Sequence, residues 1–275
     1  MLRFLYALNR MSIDVAAGAG ICCYYFALYL NAPINYLDVF TLIIVVWWVY
    51  TLDHLIDAYR SPVQGRPDRH YHYQRYFFYF LVLFTVQTAS LVLLLNYLPE
   101  KVTLVGTFLG VMVIVYFALI VSINGQLLLI KEFLIATLYT AGIWLIPLTL
   151  GNPSESVLIL IVEFFLIALV NLLLFSYRDL EYDQKNGFKS FTTRFGRRMT
   201  LLVCYYAIVL LLIWSFYHFI LVGNLRVQVI LCGMGITLLI LLINIDRIRL
   251  PLIRVVADAT FFIPLIGLLQ QDVRL

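Results

Sequence analysis

The chain has 275 residues, of which 63% are hydrophobic and 12% charged, and its mean hydropathy is +0.96. Soluble domains carry about 25% charged and about 45–50% apolar residues, so a soluble globular enzyme, a disordered chain and a nucleic-acid-binding module are all excluded. The composition is that of a polytopic membrane protein, where the placement of charge matters more than the net +4.

The N-terminal MLRFLYALNR has no small-residue cleavage site, so no removable signal peptide is expected. A helix needs about 20 apolar residues to cross the hydrocarbon core. Nine stretches qualify, at roughly 12–30, 36–56, 76–96, 102–122, 132–150, 156–177, 200–221, 227–245 and 251–269. A turn at 96–101 separates the third from the fourth, and GNPSES separates the fifth from the sixth. Pro251 suits the start of the ninth. Cys22, Cys23, Cys204 and Cys232 sit in apolar runs without metal-ligand spacing and read as buried small hydrophobes. The expected fold is an all-α bundle of nine transmembrane helices, forming one domain over 1–275.

With the N-terminus in the cytoplasm, 16 of the 19 Lys and Arg fall on the cytoplasmic side; only Lys101, Arg226 and Arg274 fall on the other. That asymmetry predicts orientation. The two long loops, roughly 60–75 and 178–199, both lie on the cytoplasmic side, and function concentrates on such loops.

Two groups of acids border those loops. Asp53 and Asp57 end the second span in TLDHLIDAYR; Asp179 and Asp183 end the sixth in SYRDLEYDQKNG. Spacing of i, i+4 puts each pair on one helix face, about 5–6 Å apart at Cβ. Like charges so placed repel, and a divalent cation is the simplest compensation. Hard oxygen donors favour Mg²⁺ shared with substrate phosphates. Arg66, Lys131, Lys189 and Arg194, with Arg60 and Arg69 nearby, are the candidate phosphate partners.

The string DLEYDQKNGFKSFTTRFG, 179–196, resembles the second aspartate motif of the UbiA superfamily of intramembrane prenyltransferases. Asp179, Asp183, Gly187, Thr192 or Thr193, and Gly196 match its Asp-x-x-x-Asp-x-x-x-Gly pattern and the Ser/Thr-bearing stretch and Gly that follow. Asp53 and Asp57 resemble the last two acids of the first motif, Asn-x-x-x-Asp-x-x-x-Asp, but the Asn position is Val49. Lys131 falls where the family tends to carry a basic residue for diphosphate. The resemblance implies a UbiA-like fold and Mg²⁺-dependent transfer of an isoprenyl group from an isoprenyl diphosphate to an aromatic or other lipophilic acceptor within the membrane. It implies Asp53, Asp57, Asp179 and Asp183 as catalytic metal ligands. It implies Arg66, Lys131, Lys189 and Arg194 as diphosphate ligands. Membrane lipids are further partners, and nucleic acid is not. Aromatic faces would steady the allylic cation; Tyr24, Tyr25, Phe26, Trp47, Trp48, Tyr50, Tyr139, Trp144 and Tyr177 supply them.

Arg254 and Asp258, i, i+4 within the ninth span, read as a structural ion pair ahead of the alternative, a cavity-facing polar site in direct substrate contact. Asn171, two turns before Asp179, reads equally as a cavity-lining or an interhelical hydrogen-bonding residue. Glu163 has no evident partner. Two other readings stand beside the enzyme: a membrane transporter and a catalytically inactive UbiA homologue, the latter because of Val49.

Overall fold

The computed structural model describes residues 2–60, 69–122, 131–222 and 225–269. All regular structure among them is helical. In chain order the helices are α1 (Leu2–Arg10), α2 (Ile13–Tyr29), α3 (Tyr36–Arg60), α4 (Arg69–Arg75), α5 (Phe77–Leu94), α6 (Glu100–Ser122) and α7 (Lys131–Leu150). They continue as α8 (Val157–Arg178), α9 (Leu180–Asn186), α10 (Phe191–Val222), α11 (Leu225–Ile243), α12 (Leu250–Ala259) and α13 (Pro264–Leu269).

Among the described residues, eight helical segments are long and apolar enough to span a bilayer: α3, α5, α6, α7, α8, α10, α11 and the run Leu250–Leu269. The remaining expected span, the first at 12–30, is the 17-residue α2, which follows α1 through an 81° bend. Neither proline nor glycine makes that bend. Ser12 takes the left-handed conformation (φ 55°), its hydroxyl lies 3.1 Å from His54 Nε2, and Trp47 Nε1 donates to the Met11 carbonyl at 3.0 Å. Two side chains of α3 thus hold the elbow.

Helix α8 runs through the middle of the bundle, packed on α7, α10 and α11, and α2 packs on α3 and α7. Small residues let α2 approach closely: a Cβ on Gly18 would sit 2.7 Å from Phe261 Cβ, and one on Gly20 would sit 2.5 Å from Ile43. Such contacts take the place of the hydrophobic drive that lipid does not supply. Phe26 stacks on Trp144 with centroids 4.2 Å apart, and both are buried. Helices α5 and α6 are peripheral, with Phe78, Tyr79, Val92, Leu104, Phe108 and Ile114 turned outward.

Two buried polar groups of α8 find partners on other helices. Gln228 Nε2 lies 3.4 Å from Glu163 Oε2 and 2.7 Å from His218 Nδ1, which gives Glu163 the partner its sequence neighbourhood lacks. Asn171 is both of its expected alternatives: it lines the central cavity, and its Nδ2 donates to the Ala257 carbonyl at 3.0 Å.

Candidate active site

Helix polarity sets the site. The C-terminal ends of α3 and α8, the N-terminal ends of α7 and α10, short α9, and the first half of α12 all meet at one end of the bundle. A cavity of about 730 Å³ opens there, lined by Asp53, Asp57, Lys131, Glu132, Asp179, Asp183, Lys189, Ser190 and Arg254. Deeper in, its walls are Tyr50, Tyr116, Phe117, Tyr139, Phe175 and Phe261 with many aliphatic residues. It follows α3 from Asp57 to Asp38, 19 residues and about 28 Å at 1.5 Å each. Helices α5 and α6 both border it.

The four motif aspartates therefore share one chamber. Of the expected phosphate partners, Lys131 and Lys189 line it. Arg194 is exposed, is not among the lining residues, and places its guanidinium 5.6 Å from the Phe195 ring centre. Arg66 lies outside the described residues. Lys131 stands between the motifs, interacting electrostatically with Asp53 and Asp57 of α3 and with Asp183 of α9. Val49 lines the wall one turn above Asp53. Thr51, a neighbour able in principle to replace its missing oxygen, is buried and donates its hydroxyl to the Trp47 carbonyl at 2.8 Å. Tyr50 does face the cavity.

The motif glycines have a conformational reason. Gly187 (φ 69°) ends α9 in the left-handed region, and Gly196 (φ 80°, ψ 165°) breaks α10 one turn after its start. A Cβ at either position would meet nothing within 4 Å, so backbone angle, not space, selects glycine. The break means that α10 begins at Phe191, nine residues before the expected span at 200.

The first turn of α10 is anchored from three sides. Orphan N–H groups at a helix start need acceptors. Phe191 N donates to Glu132 Oε1 of α7 at 2.7 Å, Thr192 N to Ser176 Oγ of α8 at 3.1 Å, and Thr193 N to Ser190 Oγ at 3.4 Å. Hydroxyls continue the link, Ser176 to Thr192 and Thr192 to Thr200, each at 2.9 Å. The Ser/Thr stretch after the second motif thus ties α10 to α7 and α8 and holds Lys189 and Ser190 at the cavity.

Sequence reading passed over Glu132 here and gave Arg254 a different partner. Glu132 is buried, a fifth carboxylate beside the four aspartates. Arg254 forms an ion pair with Asp179, 75 residues away, a partner its spacing to Asp258 does not suggest. Asp258 accepts from Asn9 Nδ2 at 2.7 Å, and the same amide reaches Asp14 at 2.7 Å. Burial above all, with Asp179 and Glu132 adding to it, pushes the Asp183 carboxyl up to about 7, against the lowering effect of Ser190 and Lys131.

Among the described residues no three carboxylate, His or Cys side chains are close enough to hold an ion by themselves. The donor set still fits Mg²⁺, which takes one or two carboxylates and completes its shell with water and substrate phosphate.

No family model and no curated protein matches this sequence. Solved structures do. A UbiA homologue from Archaeoglobus fulgidus aligns with a TM-score of 0.66 at 14% identity, covering 95% of this chain and 98% of that one. The same homologue bound to DMAPP and Mg²⁺ aligns with a TM-score of 0.65 at 14% identity, covering 94% and 97%. Bound to GPP and Mg²⁺ it gives 0.66 at 14%, covering 95% and 98%. Nearly the whole length of both chains superposes, so this polytopic membrane protein has the UbiA fold.

Proposed function

We propose that the protein is a UbiA-type prenyltransferase of one membrane domain. It moves an isoprenyl group from an isoprenyl diphosphate to a lipophilic acceptor, with both aspartate motifs and the N-terminus facing the cytoplasm. One observation carries the reading: Asp53, Asp57, Asp179 and Asp183 border the polar mouth of a single long apolar cavity, with Lys131 among them. A diphosphate with a hydrocarbon tail has that same division of polarity. The A. fulgidus homologue, solved with DMAPP, GPP and Mg²⁺, supports the ligand class by analogy of fold.

In this reading Asp53 and Asp57 on α3, and Asp179 and Asp183 around α9, hold Mg²⁺ with the diphosphate. The bound ion supplies electrostatic stabilisation of the leaving group. Lys131 and Lys189 bind and orient the diphosphate oxygens and take up negative charge as the C–O bond breaks. Tyr50, Tyr139, Phe175 and Phe261 present aromatic faces below the mouth, where positive charge develops on the allylic carbon. The apolar wall keeps bulk water from that carbon, leaving it to the acceptor.

Calorimetric titration of the purified protein with Mg²⁺ and isoprenyl diphosphates tests this. Asp179→Ala and Asp183→Ala should abolish Mg²⁺-dependent diphosphate binding. Unchanged binding in folded variants overturns the assignment. The inactive-homologue reading keeps one observation in its favour, Val49 on the cavity wall. Binding without prenyl transfer to any acceptor, rescued by Val49→Asn, would support it. Cysteines placed at 68 and 188 and labelled from each side test the orientation.

A further inference from the structure

Arg254 is a cation that the reaction as described leaves unused. It projects from α12, its side chain is 13% exposed, and it is paired with Oδ2 of Asp179, itself 17% exposed. Both line the cavity mouth. The guanidinium also lies 6.0 Å from the centre of the Phe175 ring on α8, so its pairing position has a second support. Asp179 is the first acid of the second motif, and it carries a resident positive charge where the proposed function needs it to face a divalent ion.

We propose that Arg254 is a diphosphate-binding residue held in reserve by Asp179, and that binding of the Mg²⁺–diphosphate complex exchanges the partners. Asp179 passes from the guanidinium to Mg²⁺, and Arg254 passes from Asp179 to the diphosphate oxygens. This inference rests on the prenyltransferase reading and deepens it.

Three considerations carry it. A guanidinium and a divalent ion on one carboxylate repel each other strongly in a partly dry site, so the two occupants exclude each other. A displaced guanidinium still needs an anion, and the arriving diphosphate supplies one. Its planar fork of donors matches phosphate oxygens better than an ammonium does. The exchange also makes diphosphate and metal bind together: metal alone must expel Arg254 without offering it a new partner, and diphosphate alone finds Arg254 already engaged. Of the described cations lining the mouth, Lys131 has its charge spread over Asp53, Asp57 and Asp183, whereas Arg254 pairs directly with the one carboxylate, Asp179, that the metal would take from it.

The test is calorimetry on wild type, Arg254→Met and Arg254→Lys, titrated with MgCl₂ alone and with geranyl S-thiolodiphosphate, a donor analogue that resists ionisation, in saturating Mg²⁺. Exchange predicts opposite signs in Arg254→Met: Mg²⁺ alone binds at least tenfold tighter, because its competitor is gone, and the analogue binds at least tenfold weaker. Arg254→Lys should keep Mg²⁺ affinity near wild type and recover only part of the analogue affinity. If Arg254→Met does not fold, Arg254→Gln, which also removes the positive charge, carries the same comparison. Changes of the same sign for both ligands, or no change in either, overturn the exchange while wild-type analogue binding leaves the prenyltransferase reading standing. Failure of wild type to bind the analogue at any Mg²⁺ concentration overturns that reading, and this inference with it.

Discussion

Replacing Glu132 tests how the second motif is held. Its Oε1 accepts the Phe191 N–H at 2.7 Å, at the start of α10, and the side chain is 5% exposed. A buried hydrogen bond to a charged acceptor contributes about 1.5–3 kcal/mol, and a carboxylate at a helix N-terminus gains about 0.3–1 kcal/mol within that figure. Against it stands the repulsion between Glu132 and Asp183, which the substitution relieves. The Phe191 N–H would also gain some water from the adjacent cavity. We expect Glu132→Ala to lose about 1–2 kcal/mol net, and Glu132→Gln, which keeps an acceptor, to lose less. At about 2–4 °C per kcal/mol for a chain of this order of size, the Ala variant should melt about 2–8 °C lower in detergent, followed by near-UV circular dichroism. Diphosphate affinity should fall as well, because Lys189 and Ser190 sit on the segment that Glu132 anchors. An Ala variant that melts with wild type would refute the idea that this carboxylate, and not water, satisfies the helix start.

Asp183 carries a pH prediction. Its folded pKa is raised from 3.8 to about 7, so between those values the folded chain holds a proton that the unfolded chain has released. Metal-free stability should therefore fall as pH rises from about 4 to about 7, and Asp183→Asn should flatten that slope; a wild-type melting curve level across the window contradicts it. Gly110 lines the cavity on α6, and a Cβ there meets nothing within 4 Å, so Gly110→Phe should fold normally and fill the tail space. Long-tailed donor analogues should then lose about tenfold or more in affinity, about 1.4 kcal/mol, with DMAPP unaffected. Gly196→Ala should cost about 1–3 kcal/mol through its positive φ, read as a lower melting point.

The spans and both aspartate pairs were legible because each rests on local pattern. Hydropathy over about 20 residues reports a helix that lipid must accept, and i, i+4 spacing reports a shared face. The features that escaped depend on distant residues. Arg254 and Asp258 have the spacing of a pair, but the α1–α2 elbow brings Asn9 to Asp258, while α8 ends where Asp179 meets the guanidinium. Glu132 looked like one more acid at a span end; only the arrival of α10, 59 residues on, makes it a cap. The elbow itself lacks a breaker, since Ser12 takes its left-handed angle with support from α3. Of the aromatics singled out beforehand, Trp48, Tyr50 and Tyr139 reach the cavity, whereas Phe26 and Trp144 are packed in the core. Composition supplies aromatics everywhere in such a chain, and only the tertiary fold sorts them.

The charges around the mouth lead to a prediction about stoichiometry. Asp53, Asp57, Glu132, Asp179 and Asp183 face Lys131, Lys189 and Arg254. With Asp183 protonated below about pH 7, four negative groups oppose three positive ones among the described residues. A trianionic diphosphate entering this mouth alone would raise an already negative charge in a partly dry site, which is costly. Two Mg²⁺ ions entering with it, while Asp183 gives up its proton to become a ligand, leave the net charge where it began. One Mg²⁺ would leave it two units more negative. Binding near pH 6.5 should therefore take up two metal ions per diphosphate and release close to one proton, since metal ligands must be deprotonated. Calorimetry in buffers of different ionisation enthalpy reads the proton directly, and the Mg²⁺ dependence of analogue binding reads the metal count. Asp183→Asn should lower the release by close to one proton, leaving only what the diphosphate itself gives up to Mg²⁺. Release of no proton by wild type, or unchanged release by Asp183→Asn, would remove Asp183 from the metal's shell.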